Sequence, residues 1–210
     1  MADEKTYLRR ILSESRTAMP VALAANLSAR IQSQLIGSSF YAEAVEIVLY
    51  AAKDNEVDTF LMLDHALRSK RRVLFPKIVS KDSAFSLVCV SDREELRPGA
   101  FGILEPAGAE MVSPADLAGT LICVPGVAFS VSGQRLGRGG GYYDRFLAAA
   151  NPQAITAGLA YPFQLLDRLP QSPHDRRLGL IVTASAIHPA PGSKPVMETR
   201  PHQGGITRCW

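Results

Sequence analysis

Apolar residues recur at helical intervals near the start of the chain. Residues 3 to 18 follow this spacing, and Pro20 ends the run because proline cannot continue a helix interior. A second run with the same spacing ends at Gly37, a residue type common just beyond the ends of helices. The pattern therefore predicts two N-terminal helices.

Beyond Gly37, short apolar runs alternate with amphipathic stretches. Helical spacing extends from about Val57 to Ser69 and begins again at about Tyr142. Such alternation favours an α/β fold, a single three-layer α/β/α domain with a mostly parallel sheet between helices. The predicted strands are VEIVLYAA, RRVLFPKI, FSLVCV, TLICVPGVAF, AITAGLA and LGLIVTA.

The ends of four predicted strands indicate where a ligand would bind. These strands end near Ala51, Pro76, Pro125 and Ala160. Parallel strands deliver the loops at their carboxyl ends to one edge of the sheet, and open α/β folds bind ligands at that edge. We therefore expect the four strand ends to face a common site.

Composition indicates one domain followed by a tail. The chain has 210 residues, 47% of them hydrophobic, which is enough for one core and marginal for two. We assign residues 1–188 to the α/β domain. Residues 189–210 are rich in proline, glycine and polar residues and lack periodicity, so they are predicted to form a disordered tail.

Charge and hydropathy do not favour nucleic acid or a membrane as a partner. The net charge of +3 gives no footprint of a nucleic-acid binder. The first ten residues, MADEKTYLRR, are charged from the third position and lack the apolar stretch of a signal peptide. No run of about 18 apolar residues occurs. We expect a cytoplasmic monomer that binds neither nucleic acid nor membranes.

Residues 133–147, GQRLGRGGGYYDRFL, form the most distinctive segment. Its glycines let backbone N–H groups converge on an anion, and the helix predicted from Tyr142 places them at a helix N-terminus, where peptide dipoles favour negative charge. Arg135 and Arg138 add guanidinium donors suited to phosphate or carboxylate oxygens. The segment predicts a phosphate-binding loop, the alternative being an ordinary turn with solvated arginines. The glycines are Gly137, Gly139, Gly140 and Gly141.

Asp144 points to a metal ion in the same place. A carboxylate does not bind phosphate directly, and beside such a loop it suits the Mg²⁺ that accompanies a nucleotide. Two common nucleotide-binding motifs are absent from the sequence. There is no G-x-x-x-x-G-K-[ST], and Tyr142 stands where a dinucleotide fingerprint has its third glycine.

Charged residues near the two earlier helices leave two interpretations open. Arg9 lies four positions beyond Lys5, and Arg16 lies eleven beyond it, so all three project from nearly one helix face. Such a row is often only a solvated surface. Glu56, just before the helix predicted from Val57, is either a ligand or a partner of the helix dipole.

The segment VPGVAFSVSGQRLGRGGGYYDRFL, from Val124 to Leu147, resembles the signature of the 5-formyltetrahydrofolate cyclo-ligase family, also called methenyltetrahydrofolate synthetase. The similarity is long and specific, and weaker landmarks occur in family order up to about residue 188. These landmarks are KTYLR (5–9), NEVDT (55–59), VLFPKI (73–78), GILEP (102–106) and LPQSPHDRRLG (169–179).

The resemblance implies a ligase that uses ATP and Mg²⁺ to convert 5-formyltetrahydrofolate, with or without a polyglutamate tail, to 5,10-methenyltetrahydrofolate. It implies transfer of the γ-phosphoryl group to the formyl oxygen, attack by the folate N10, and release of ADP and phosphate. The catalytic residues implied in this sequence are Arg138, Tyr143 and Asp144.

The resemblance also implies three sets of ligand-binding residues. The nucleotide set is Lys5, Arg9, Arg135, Leu136, Gly137, Arg138, Gly139, Gly140, Gly141, Tyr142 and Tyr143. The folate set is Ala51, Glu56, Arg138, Gly139, Gly140, Gly141 and Tyr142, with Glu56 holding the pterin. The Mg²⁺ ligands are Asp144 and Asp175.

The chain departs from the family pattern at two positions. Gly179 stands where many relatives have a second aspartate after Asp175, and Gly140 stands where some have a lysine. Two other classes remain open from the residues alone. One is a sugar-phosphate isomerase or CoA-transferase-like enzyme that needs no ATP, and the other is a catalytically inactive folate- or nucleotide-binding protein.

Overall fold

The computed structural model describes residues 2–78 and 85–192 of the chain. The helices are α1 (Ala2–Thr17), α2 (Val21–Ile36), α3 (Ser39–Glu43), α4 (Phe60–Arg68) and α5 (Tyr142–Ala149). Within the two described ranges, none of the helices has both the length and the apolar character needed to cross a bilayer.

Strands in the described residues are short, and most are buried. They are β1 (Glu46–Val48), β2 (Arg72–Lys77), β3 (Ser86–Cys89), β4 (Leu96–Pro98), β5 (Leu104–Pro106), β6 (Met111–Val112), β7 (Leu121–Val124), β8 (Ala128–Ser130), β9 (Arg135–Leu136), β10 (Ile155–Leu159), β11 (Leu165–Leu166), β12 (Leu180–Val182) and β13 (Ile187–Pro189).

The main sheet has eight strands in the order β13-β12-β10-β7-β1-β2-β3-β6. The strands from β12 to β2 are parallel, and antiparallel strands complete both edges. Strands β1, β7 and β12 are buried at every position, as expected for strands covered on both faces. The predicted α/β class with a mostly parallel sheet is confirmed.

The two faces of the main sheet are covered differently. One face packs against α2, α3 and α4 through side chains such as Leu35, Tyr41 and Met62. The other packs against Phe146 of α5 and Phe129 of β8. Strand β8 belongs to a small sheet in the order β11-β8-β9, so this second outer layer combines a helix with a sheet.

Helix α1 packs against the small sheet. Its Leu12 joins an apolar cluster with Val127, Ala128, Leu136 and Leu169. Because β9 leads directly into the glycine-rich segment, α1 and the small sheet together fix where that segment begins.

One helix boundary differs from that predicted. Helix α4 begins at Phe60 rather than near Val57. Thr59 Oγ1 donates a hydrogen bond of 2.7 Å to Tyr50 O, which holds the preceding residues against the end of β1. The two N-terminal helices and the helix from Tyr142 occur as predicted.

The carboxyl end of the described chain is a sheet edge. Strand β13 ends at Pro189, and Ala190 is buried, so the packed region includes the first residues of the segment predicted as a tail. Residues 193–210 lie outside the described residues. The division into a domain of 1–188 and a tail of 189–210 therefore stays a prediction.

Candidate active site

A cavity of about 850 Å³ opens at the carboxyl edge of the parallel strands. The segments after β1 and β7 and the end of β2 line it, through residues that include Ala51, Ile78 and Pro125. Three of the four predicted strand ends thus meet at one site. Ala160, after β10, is instead packed in the core beneath the sheet.

The glycine-rich loop, residues 137–141, forms one wall of this cavity. Gly139 has φ +109° and Gly141 has φ +67°, and backbone of this hand is readily adopted only by glycine. Gly141 is the residue immediately before α5, so the positive end of the helix faces the loop. The loop and the start of α5 form the arrangement expected of an anion site.

Arg135 and Asp144 form an ion pair at the base of the loop. Arg135 Nη2 lies 2.8 Å from Asp144 Oδ1, and only 3% of the Arg135 side chain is exposed. Arg135 Nη1 also donates to Pro125 O at 3.4 Å, and Arg176 N–H donates to the same Asp144 oxygen at 3.3 Å. Arg135 lines the cavity as well, and its expected contact with the nucleotide stays a prediction.

Lys5 reaches the site through Asp175. Its Nζ lies 2.5 Å from Asp175 Oδ2 and 2.8 Å from Ser172 Oγ. Ser172 N–H donates to the same carboxylate oxygen at 2.7 Å. Burial alone would raise the pKa of Asp175, but the hydrogen bonds from Lys5 and Ser172 outweigh burial and hold this pKa below its usual value. Asp175, Ser172 and their neighbours line the cavity, and Lys5 lies behind them.

Glu56 lies across the cavity in what we term the acidic turn, residues 53–56. Arg138 of the glycine-rich loop donates from Nε and Nη2 to Glu56 Oε1, at 3.0 and 2.9 Å. Arg138 Nη1 also pairs with Asp54 Oδ2 at 2.8 Å, and this hydrogen bond lowers the pKa of Asp54. The residues expected to hold the nucleotide and the pterin are therefore in direct contact.

The acidic turn has an unusual backbone. Asp54 and Asn55 both have left-handed conformations, with φ 51° and 56°. Asn55 Nδ2 donates to the carbonyl oxygens of Arg16 and Met19 at 3.2 and 3.1 Å, which ties the turn to the end of α1. This turn places Glu56 four residues before the first residue of α4.

All three cations predicted on one face of α1 contact the site. Arg9 Nε donates to Gly137 O at 2.9 Å, and Lys5 pairs with Asp175. Arg16 lies 3.6 Å from Glu56. Arg16 was not predicted to be a ligand-binding residue, although its spacing from Lys5 placed it on the same face.

Aromatic side chains form an apolar wall. Phe85 and Tyr143 have ring centres 4.8 Å apart in an edge-to-face contact, and both line the cavity together with Tyr50 and Tyr142. Burial, assisted by the charge of Glu56, raises the pKa of the Tyr143 hydroxyl, so this group stays protonated at neutral pH. Phe85 was not predicted, because its sequence context does not differ from that of a core phenylalanine.

The donor set at the site fits a partly hydrated cation. In the described part of the chain, no group of three or more histidine, cysteine, aspartate or glutamate side chains is arranged to hold a metal. Mg²⁺ usually takes one or two carboxylates and completes its shell with water and substrate phosphates. Asp144 and Asp175 line the same cavity, and each has one oxygen bound by a cationic side chain.

Gly179 stands apart from the cavity. Its N–H donates to Thr156 Oγ1 at 2.8 Å, and its carbonyl accepts from Ala190 N–H at 2.8 Å. It lies beside β12 and does not line the cavity. A Cβ added at this position would lie 3.4 Å from Thr156 O, beside strand β10.

A family model described as the 5-formyltetrahydrofolate cyclo-ligase family matches residues 1–184. The mitochondrial 5-formyltetrahydrofolate cyclo-ligase of Arabidopsis thaliana is 30% identical over an alignment of 210 residues, gaps included. The alignment covers 89% of this chain and 76% of the relative. The enzyme of that name from Mycolicibacterium smegmatis is 31% identical over 188 residues, covering 85% and 93%.

Solved structures give the same result. The 5,10-methenyltetrahydrofolate synthetase of Aquifex aeolicus superposes with a TM-score of 0.79 at 31% identity, covering 95% of this chain and 99% of the other. The synthetase of Mycoplasma pneumoniae superposes with a TM-score of 0.68 at 26% identity. The chain therefore belongs to the 5-formyltetrahydrofolate cyclo-ligase family and is an enzyme of the ligase class.

Proposed function

We propose that this enzyme uses ATP to close the ring of 5-formyltetrahydrofolate, giving 5,10-methenyltetrahydrofolate, ADP and phosphate. The family converts the first folate to the second. The main support for a reaction that uses ATP is that a glycine-rich anion loop and a carboxylate-bearing turn face one another across a single cavity. Such a cavity suits two ligands, one anionic and one carrying paired N–H donors.

The nucleotide phosphates would lie along the glycine-rich loop. The amides of residues 137–141, the N-terminus of α5 and Leu136 provide its floor, and Arg9 and Arg138 provide positive charge. Lys5 would act through Asp175, because its ammonium group is engaged there. Arg135 would act through Asp144 for the same reason.

The folate would lie on the other side, with its pterin at Glu56. A carboxylate can accept two N–H groups from the guanidine-like edge of that ring. Ala51 and Tyr142 line the same cavity and would contact the folate. Since Glu56 is bound by Arg138 here, the pterin would replace that arginine and leave its guanidinium to contact the phosphates.

Catalysis would consist of placement and charge stabilisation. The formyl oxygen is a poor leaving group until the γ-phosphoryl group is transferred to it, after which N10 attacks the activated carbon and phosphate departs. The amides of the loop and Arg138 would stabilise charge on the transferred group. The protonated Tyr143 hydroxyl would donate a hydrogen bond within the same cavity.

Asp144 and Asp175 would hold Mg²⁺, which supplies positive charge to the phosphates when it is bound. Each carboxylate keeps an oxygen that is not used in its pair with Arg135 or Lys5, since those pairs use Asp144 Oδ1 and Asp175 Oδ2. The ion pairs fix the orientation of both carboxylates.

The direct test is a spectroscopic assay of methenyl product formation, together with measurement of ADP. Product should form only with ATP and Mg²⁺, with one ADP released for each methenyl group. Ring closure at an unchanged rate without ATP would refute the proposal. Binding of both ligands without any product would indicate a catalytically inactive binding protein.

Two variants separate the sides of the cavity. Arg9→Ala should raise the KM for ATP by about tenfold, since one charge-assisted hydrogen bond is worth about 1.5 kcal/mol or more. Glu56→Gln should raise the KM for the folate instead. Arg10→Ala is the matched control, because Arg10 is exposed, pairs with Glu14 one turn away and lies over the ring of Tyr7 on the same helix.

A further inference from the structure

Arg16 is a buried cation directly beneath the acidic turn. Only 2% of its side chain is exposed, and it is not among the residues that line the cavity. Its Nε donates to Asp54 O at 2.9 Å, and Nη1 lies 3.4 Å from Gly126 O and 3.6 Å from Glu56 Oε1. The guanidinium therefore joins α1, the acidic turn and the segment after β7.

Burial of this charge needs compensation. Desolvation lowers the pKa of the Arg16 guanidinium, and the carboxylate of Glu56 is the largest opposing influence. A buried charge persists only when it is paired and hydrogen-bonded. Glu56 is itself nearly buried, with 8% of its side chain exposed, so the two groups stabilise each other in place.

The backbone of the acidic turn also depends on these contacts. Two consecutive non-glycine residues, Asp54 and Asn55, have left-handed conformations. Such conformations persist only where surrounding contacts determine them. Arg16 Nε on Asp54 O and Asn55 Nδ2 on Arg16 O provide reciprocal contacts between the turn and α1.

Glu56 is held by two arginines of different character. Arg138 is 42% exposed and belongs to the glycine-rich loop, whereas Arg16 is buried behind the turn. Both contact Oε1, and Oε2 accepts the N–H of Lys53 at 3.2 Å. If Arg138 leaves, Arg16 and Lys53 N–H still fix the position of the carboxylate.

We propose that Arg16 is a positioning residue for the folate side of the site: it fixes the acidic turn and keeps the Glu56 carboxylate directed into the cavity. The inference rests on the proposed function in one respect, the assignment of Glu56 to the pterin. It adds a residue that touches neither ligand and yet determines affinity for one of them.

The test compares Arg16→Gln, Arg16→Lys and Asn55→Gly by steady-state kinetics of methenyl product formation. Arg16→Gln should raise the KM for 5-formyltetrahydrofolate by about tenfold or more, as misplacement of a binding group does. The KM for ATP should stay within about twofold of the original value. Arg16→Lys should recover part of the folate affinity, because lysine keeps the charge but lacks the planar set of donors.

Asn55→Gly keeps the test decisive if Arg16→Gln does not fold. Glycine adopts the left-handed backbone without strain, so this variant removes only the tie to α1 and should raise the folate KM alone. Arg10→Gln, on the exposed side of the same helix, is the control and should match the original enzyme.

The inference would be overturned if the KM for ATP and the KM for the folate rose equally. It would also be overturned if Arg16→Lys and Asn55→Gly folded and left the folate KM unchanged. Glu56→Gln distinguishes that result from failure of the proposed function. If Glu56→Gln also leaves the folate KM unchanged, the assignment of Glu56 is wrong. If it raises the folate KM while the Arg16 and Asn55 variants do not, only the positioning role is wrong.

Discussion

Replacement of Asp144 should reduce stability as well as activity, because Asp144 balances a buried cation. The Arg135 side chain is 3% exposed and that of Asp144 is 22% exposed. Without the carboxylate, the hydrogen-bond partner that remains for the Arg135 guanidinium among the described residues is Pro125 O at 3.4 Å. The Arg135 guanidinium, on a side chain that is 3% exposed, would then lack its ion-pair partner.

The size of the effect follows from that geometry. Breaking a fully buried pair by removing one partner costs about 3 to 5 kcal/mol, and the access of water to Asp144 reduces this to about 2 to 3 kcal/mol for Asp144→Ala. Asparagine keeps an oxygen acceptor for Arg135, so Asp144→Asn should cost about 1 to 2 kcal/mol. For a chain of this size the alanine variant should melt about 4 to 12 °C lower than the original protein.

Thermal and urea unfolding of both variants measure these costs. Asp167→Asn is the control, because Asp167 is an exposed aspartate whose neutralisation should leave the melting temperature unchanged. A melting temperature of Asp144→Ala equal to that of the original protein would refute the reasoning. Turnover at ATP and Mg²⁺ concentrations that saturate the original enzyme should fall in both variants, and full recovery at higher Mg²⁺ would indicate that Asp144 only adds metal affinity.

Three further predictions concern single residues. Gly139→Ala should lose most activity with a smaller change in melting temperature, because φ +109° is unfavourable for alanine. The effect would come from backbone conformation, since an added Cβ would lie no closer than 3.7 Å to Arg9. Normal turnover would contradict this reasoning. Burial raises the pKa of the Cys123 thiol to about 12, so iodoacetamide at pH 8 should modify Cys123 only after unfolding, as peptide mass mapping would reveal. The lowered pKa of Asp175 stabilises the fold above the usual aspartate pKa of about 3.9, and this contribution disappears as pH falls through the lowered value. Between about pH 5 and pH 2, the free energy of unfolding measured in urea should therefore fall less for Asp175→Asn than for the original protein. Equal decreases in the two proteins would exclude a stabilising role for the Asp175 carboxylate.

The features that could be predicted from the sequence are those encoded locally. The glycines of residues 137–141 specify a backbone that other residues avoid, and Tyr142 begins a helix as its sequence context indicates. The central strands were predicted because a strand buried on both faces is a continuous apolar run. By contrast, β9 and β11 contain two residues each, too few to establish a period.

The missing information concerns partners distant in sequence. The hydrogen bond from Arg16 to Asp54 joins residues 38 positions apart, and that from Lys5 to Asp175 spans 170. An arginine beside a glycine-rich loop suits phosphate, and nothing local indicates that Arg135 also forms an ion pair with Asp144. Residue type therefore predicted that these charges belong to the site, and the fold decided which group each one contacts.

The amino-terminal helix gives the site a common support. From one face of α1, Lys5 fixes the segment with Asp175, Arg9 fixes the first glycine of the loop, and Arg16 fixes the turn with Glu56. A molecule in which α1 has detached and unfolded would keep its main sheet and lose the 16 helical residues of α1, while three walls of the cavity would lose their anchors together. Early inactivation on heating or limited proteolysis should therefore follow release of the amino terminus rather than melting of the sheet.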